Sequence, residues 1–252
     1  MELTVAQQHL FNYFKIVYVT TKTEALDVLK EIMNTNVDNH NLANEIFSLN
    51  KVIKQYDFEI VECFCEITSE KLLILVNTTN DEITQKAKYH DKTTLQFFSE
   101  IINNCISSEE GFLTETHCLN LSVDVGLSKT SAESCLNNLI KDKWLNSRNG
   151  TISLSMRTII ELEQDIKHCY SEIIKTCTLC RKIILQGYNC INCNVKYHFF
   201  CLKKYVHSQI NPCCLKCESF LEDLPEGITP KQSRINNNTT SLSPCRKKRK
   251  AF

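Results

Sequence analysis

Between Cys177 and Cys217, seven cysteines and one histidine fall into four pairs, each with two residues between its members. The run reads Cys177-x2-Cys180-x9-Cys190-x2-Cys193-x4-His198-x2-Cys201-x12-Cys214-x2-Cys217. A Cys-x2-Cys turn holds two sulfurs one tetrahedral edge apart without strain. Structural zinc takes four such ligands in a closed site, so eight ligands predict two structural zinc ions. Disulfide pairing of the same cysteines needs an oxidising compartment. The start, Met1-Glu2-Leu3-Thr4, lacks the basic residues and apolar run of a secretory signal. A redox dithiol uses one Cys-x-x-Cys, not four pairs. The segment holds no Asp or Glu and six bases: Arg181, Lys182, Lys196, Lys203, Lys204 and Lys216. Seven thiolates and two zinc ions leave an excess of three negative charges, which those bases offset, so they are not read as a nucleic-acid patch.

Ligand order decides between module types. Sequential pairing gives two independent fingers, whereas interleaved pairing gives a cross-brace. The order of four Cys, one His and three Cys fits the RING and PHD cross-braces. A PHD finger usually carries Trp two residues before its seventh ligand, and here that position is Pro212. Site one is assigned to Cys177, Cys180, His198 and Cys201, and site two to Cys190, Cys193, Cys214 and Cys217. Cys213 would lengthen the last spacing to x3, and His207 is read as a surface residue of a helix after Cys201.

The remaining chain reads as two similar halves. Residues 5–19 carry Leu10, Phe11, Phe14, Ile16, Val17 and Val19 on a helical period. A second helix is expected over 23–33, capped by Thr23, and a third over 42–55. Residues 58–61 and 72–76 read as two strands. The second half repeats this with helices near 94–111, 115–121 and 128–143. A hairpin follows, opened by Trp144-Leu145, turned at Asn149-Gly150 and closed by Thr151–Leu154. A last helix is expected over 156–170. Three helices and a hairpin, twice, outline tandem winged helices. The third helix of the second half carries Lys129, Lys141 and Lys143 against Glu133 and Asp142. That balance favours protein docking, with at most a weak DNA contact. Trp144 is read as a hairpin-core side chain, with an interface anchor as the alternative.

Fifteen cysteines are many, but those outside the ligand run, such as Cys63, Cys65, Cys105 and Cys118, are scattered and read as buried reduced thiols. No window approaches 18 apolar residues, so no membrane span is expected. From Glu222 the period breaks and disorder is expected. This tail carries seven bases and three acids, including the run Arg246-Lys247-Lys248-Arg249-Lys250, which suits a nuclear import signal or a nucleic-acid contact. The expected organisation is α+β: winged helix A over 1–90, winged helix B over 91–171, a variant RING over 172–221, and a basic tail over 222–252.

With these parts placed, the chain resembles the non-SMC element 1 family, the RING subunit of the structural-maintenance-of-chromosomes five/six complex. The resemblance rests on tandem winged helices followed by the variant RING. It also rests on the segments Leu75-Val76-Asn77, Ser107-Ser108-Glu109-Glu110-Gly111-Phe112, Lys143-Trp144-Leu145 and Ile184-Leu185-Gln186-Gly187. It implies a nuclear role in DNA repair and recombination. It also implies docking of the winged helices on a MAGE-type subunit, joined to a kleisin subunit, and RING-type ubiquitin ligase activity. In such a ligase the RING orients a charged ubiquitin-conjugating enzyme and supplies no nucleophile. Leu179, before the second ligand, matches the aliphatic residue that RINGs present to that enzyme. Leu215 replaces the Pro often found after the seventh ligand, and Glu218 replaces the basic residue that many active RINGs place after the eighth. The alternative is a non-catalytic assembly subunit whose zinc module mediates protein contacts.

Overall fold

A computed structural model describes residues 3–34, 38–79 and 92–230; the basic run 246–250 lies outside them. The chain divides into two compact units, Met1–Ile173 and Ile174–Phe252.

In the first unit, α1 (Val5–Val17) opens on a capping box. The Thr4 hydroxyl accepts from the Gln7 N–H, and the Gln7 side chain accepts from the Thr4 N–H. Strand β1 (Val19–Thr21) follows, then α2 (Lys22–Met33) and α3 (Asn39–Ile53). The cap of α2 is Thr21, not the expected Thr23. Thr21 and Glu24 close a second capping box, with the Glu24 carboxylate accepting the Thr21 N–H at 2.8 Å. Those hydrogen bonds hold the Glu24 carboxyl below its ordinary range. Strands β2 (Phe58–Phe64) and β3 (Lys71–Asn77) complete a sheet of order β1-β3-β2.

The second half repeats this plan. Helix α4 (Lys92–Ser107) is followed by β4 (Phe112–Thr114), α5 (Glu115–Asn120), α6 (Lys129–Lys141), β5 (Leu145–Arg148) and β6 (Thr151–Leu154), with sheet order β4-β6-β5. Ser128 caps α6, its hydroxyl accepting the Ser131 N–H. Asn149 and Gly150, both at positive φ (51° and 74°), make the tight turn between β5 and β6. The fold is a tandem of winged helices. Both first strands, β1 and β4, escaped the sequence reading because three residues show no period. The expected helix over 156–170 is two, α7 (Met156–Glu161) and α8 (Glu163–Cys169), broken at Leu162.

The continuous apolar run in β3 has a physical cause. Leu73 and Leu75 face the helical core of Leu10, Phe14, Leu29, Leu49 and Ile53. Ile74 and Val76 face the opposite side, where Met156 and Ile160 of α7 pack on them. A strand covered on both faces loses the polar alternation of a half-exposed one. The second winged helix thus supplies the cover for the first one's sheet.

Arg157, on α7, fastens that junction. Only 4% exposed, its guanidinium stacks 3.7 Å from the Tyr18 ring centroid and 4.1 Å from that of Trp144. Its Nε donates to Glu161 at 2.7 Å and Nη1 to the Asp142 carbonyl at 2.6 Å. Trp144 also meets Phe98 edge-on at 5.9 Å, so its ring is interior, as a hairpin-core side chain should be. Cys63, Cys105, Cys118 and Cys135 are buried, whereas Cys65, expected among them, is only partly buried; burial pushes the Cys105 and Cys118 thiols up to about 12, keeping them protonated. No helix among the described residues is long and apolar enough to cross a membrane.

Replacing Arg157 by Met removes the cation from a buried pair and is expected to cost about 3–5 kcal/mol of unfolding free energy. Denaturant titration followed by the fluorescence of Trp144, the chain's single tryptophan, measures this. Arg157→Met/Glu161→Gln should recover a substantial part of the loss, because the second change withdraws the stranded charge.

Candidate metal centre

The second unit is built on three turns of one design. Each Cys-x2-Cys pair closes a small loop in which the N–H of the first Cys donates to the carbonyl five residues on: Cys177 to Lys182, Cys190 to Val195, Cys214 to Ser219. The residue after the second Cys returns a bond to the first Cys carbonyl, from Arg181, Asn194 and Glu218. All three of these residues sit in the left-handed region, at φ 62°, 56° and 62°. This geometry aims both sulfurs of a pair to the same side. The fourth pair is different in kind. His198 ends a short hairpin of β7 (Tyr188–Asn189) and β8 (Lys196–Tyr197), and Cys201 lies in the first turn of α9 (Phe199–His207).

The chain path interleaves these pairs. The ligand atoms of Cys177, Cys180, His198 and Cys201 lie within 4.8 Å of one another, as do those of Cys190, Cys193, Cys214 and Cys217. With zinc–sulfur bonds of about 2.3 Å, a tetrahedral site has sulfur–sulfur edges of about 3.8 Å. The sulfurs of Cys190 and Cys217 are 3.7 Å apart, and those of Cys193 and Cys214 are 3.5 Å apart. In the other cluster His198 Nδ1 lies 3.3 Å from the Cys180 sulfur and 3.9 Å from that of Cys201. Both clusters therefore fit a zinc ion. His207 is exposed on α9, and Cys213, whose sulfur lies 3.6 Å from the Asn211 carbonyl, belongs to neither cluster.

The groups around the ligands suit thiolates. His198 Nε2 lies 3.0 Å from the Ile183 carbonyl and donates to it, which leaves Nδ1 as the ligand nitrogen. The His198 N–H points at the Cys177 sulfur at 3.5 Å, and the Lys216 N–H at that of Cys214 at 3.4 Å. With protons alone, the hydrogen bond from Cys201 holds Cys177 down to about 3 and drives the Cys201 thiol up. A divalent ion replaces those shared protons and lets all the sulfurs ionise. The hydrogen bond from Ser219 lowers Cys217 to about 6.

Two further features were invisible in the spacing. Lys196 was counted among the offsetting bases, and it is the buried one: 5% exposed, with Nζ donating to the Leu185 carbonyl at 2.9 Å. Arg181, Lys182, Lys203, Lys204 and Lys216 are exposed. At Gly187, a Cβ would stand 2.5 Å from the Tyr197 carbonyl oxygen and 2.6 Å from Ile184 Cδ1. Glycine is required there by close approach of backbone, not by an unusual φ. Leu179 is half-buried against the module's core of Tyr188, Tyr197, Leu202 and Val206, while Leu215 is 50% exposed.

Comparison with known proteins matches both units. Residues 177–217 match the RING-like domain family. Residues 7–119 and 107–162 match the family described as Nse1 non-SMC component of SMC5-6 complex. The non-structural maintenance of chromosomes element 1 homolog of Xenopus laevis is 35% identical over 156 residues, which are 60% of this chain and 58% of that protein. Its counterpart in Xenopus tropicalis is 31% identical over 200 residues, 78% of this chain and 74% of that protein. Among solved structures, a chain of an Nse1-Nse3-Nse4 complex superposes with a TM-score of 0.78 at 25% identity, over 88% of this chain and 98% of that one.

Two measurements test the centre. Chelation should remove two zinc ions per chain and abolish amide-exchange protection over 174–230, while β3 and β6 of the first unit stay protected. Gly187→Ala should lower zinc retention, read as metal content after dialysis against a weak chelator. Its Cβ is expected to force β8, and with it His198, away from the first pair.

Proposed function

Since the chain belongs to the family of the Nse1 non-SMC component of the SMC5-6 complex, we propose that it is the RING-type ubiquitin ligase subunit of such a complex. In this reading it works in the nucleus, in DNA repair and recombination. The solved relative is named as a complex with Nse3 and Nse4. By analogy the tandem winged helices dock on a MAGE-type subunit, and the pair joins a kleisin subunit. The exposed side of α6 supports docking on protein: it carries Lys129, Thr130, Ser131, Glu133, Ser134, Asn137, Asn138 and Lys141, too little positive charge for strong DNA binding.

The observation that carries the ligase reading is the cross-brace geometry, with Cys177, Cys180, His198 and Cys201 around one centre and Cys190, Cys193, Cys214 and Cys217 around the other. Both clusters are closed, with four protein ligands and no position for water, so the metals are structural and not catalytic. What remains is surface. Leu179, braced by the core yet partly open, and the exposed Leu215 offer apolar contacts to a ubiquitin-conjugating enzyme. The enzyme's own cysteine carries the ubiquitin thioester, and the contribution of this chain is orientation.

Glu218 favours a second reading. It places a carboxylate where many active RINGs have a base, which suits a weak ligase or an assembly subunit without ligase activity. An in-vitro ubiquitination assay with and without the MAGE-type partner, across a panel of conjugating enzymes, separates the two. The ligase reading expects chains with the partner present and their loss on Leu179→Ala. No chains in any combination, with zinc still near two per chain and Cys190→Ala disrupting assembly, would establish the architectural reading. Glu218→Arg is expected to raise partner-independent chain formation, and the backbone tolerates it: Arg181 holds the same left-handed position in the first turn at the same φ of 62°.

A further inference from the structure

The two clusters differ in charge. A zinc ion with three thiolates and a neutral His carries minus one, and one with four thiolates carries minus two. The structure meets that difference with two hydroxyl groups. Tyr197 is fully buried, and its Oη lies 3.2 Å from the Cys214 sulfur. The same oxygen accepts the Leu215 N–H at 3.0 Å, which leaves its proton for the sulfur. The Ser219 hydroxyl lies 2.9 Å from the Cys217 sulfur and 4.0 Å from that of Cys190. In the first cluster the His198 N–H, a backbone donor, points at the Cys177 sulfur.

Tyr197 also precedes His198 directly. Successive side chains leave an extended segment on opposite sides, so this dipeptide sends the His198 imidazole into the first cluster and the Tyr197 hydroxyl into the second. One short stretch of backbone therefore ties both centres, and through the Leu215 N–H it ties them to an exposed apolar residue of the last turn.

We propose that Tyr197 and Ser219 are positioning residues that set metal retention at the four-cysteine site, and that Tyr197 also fixes the posture of the turn presenting Leu215. The hydroxyls donate to thiolates that carry the larger excess charge and lower its cost, as outer-shell donors do at metal centres. The inference rests on the two-zinc reading of the module and is independent of ligase activity.

The test uses the full chain reconstituted with Co2+, whose visible bands distinguish a four-sulfur site from a three-sulfur, one-nitrogen site, titrated against a competing chelator. Tyr197→Phe keeps the buried ring and removes only the hydroxyl. It should weaken Co2+ binding at the four-sulfur site by about tenfold, leave the other site at the parent affinity, and speed exchange of the Leu215 amide proton. Unchanged affinity at the four-sulfur site would overturn the proposal. If Tyr197→Phe weakens both sites equally, Ser219→Ala decides, because Ser219 lies outside the module's apolar core: loss confined to the four-sulfur site sustains the proposal, and no loss overturns it. Failure of the parent chain to bind two Co2+ would instead overturn the metal reading itself, and this inference with it.

Discussion

Alternate use of the four ligand pairs is the constraint on which the second unit depends. Neither centre can close until segments far apart in sequence have come together, since the first takes ligands from residues 177 to 201 and the second from 190 to 217. The apolar core here is small: Tyr188, Tyr197, Leu202, Val206, Leu221 and Ile228, with Cys190 and Cys214 themselves part of it. A unit of this size buries little apolar surface and is marginal by packing alone. Metal binding then supplies folding free energy directly, which is why zinc and fold are inseparable in such modules.

The first unit rests on ordinary burial, arranged so that its two halves share a core. Had β3 been covered by its own three helices alone, Ile74 and Val76 would face water. Met156 and Ile160 cover them, and Arg157 between Tyr18 and Trp144 adds a directional contact to a non-directional one. An arginine suits this position because its flat, weakly hydrated guanidinium stacks on rings and still donates in its plane. Two halves joined this way hold their exposed surfaces at a fixed spacing.

The division of labour follows from the chemistry. Among the described residues of the second unit, the paired Cys and His side chains gather in two four-membered clusters carried on a set of closely similar turns. In the ligase reading proposed above, the side chains at the turn tips, Leu179, Leu215 and Glu218, are the ones that would meet a partner. Hydroxyl donors near the thiolates matter in the same way, because Tyr197 joins the Cys214 sulfur to the Leu215 N–H of the last turn.

Much of the architecture was legible because its signals are local. Ser128 before α6, Asn149-Gly150 in the hairpin and the apolar period of α4 each act within a few residues, and each stands in the structure; the period read over 5–19 holds for Leu10 and Phe14, but Ile16 is exposed and Val19 belongs to β1. Thr21 was legible too, since Thr-x-x-Glu is a capping box, and the expected Thr23 misplaced it by two residues. The sequence alone determined which cysteines and which histidine gather in two four-membered sets, how those sets interleave, and where most turns and helices lie, because ligand spacing, capping and periodicity are short-range properties of a chain. Only the tertiary structure decided that β1 and β4 join their sheets, that Lys196 and not its neighbours is buried, and that Arg157 and Tyr197 tie distant parts together. Those outcomes depend on the path of the backbone between residues tens of positions apart, and no local spacing encodes that path.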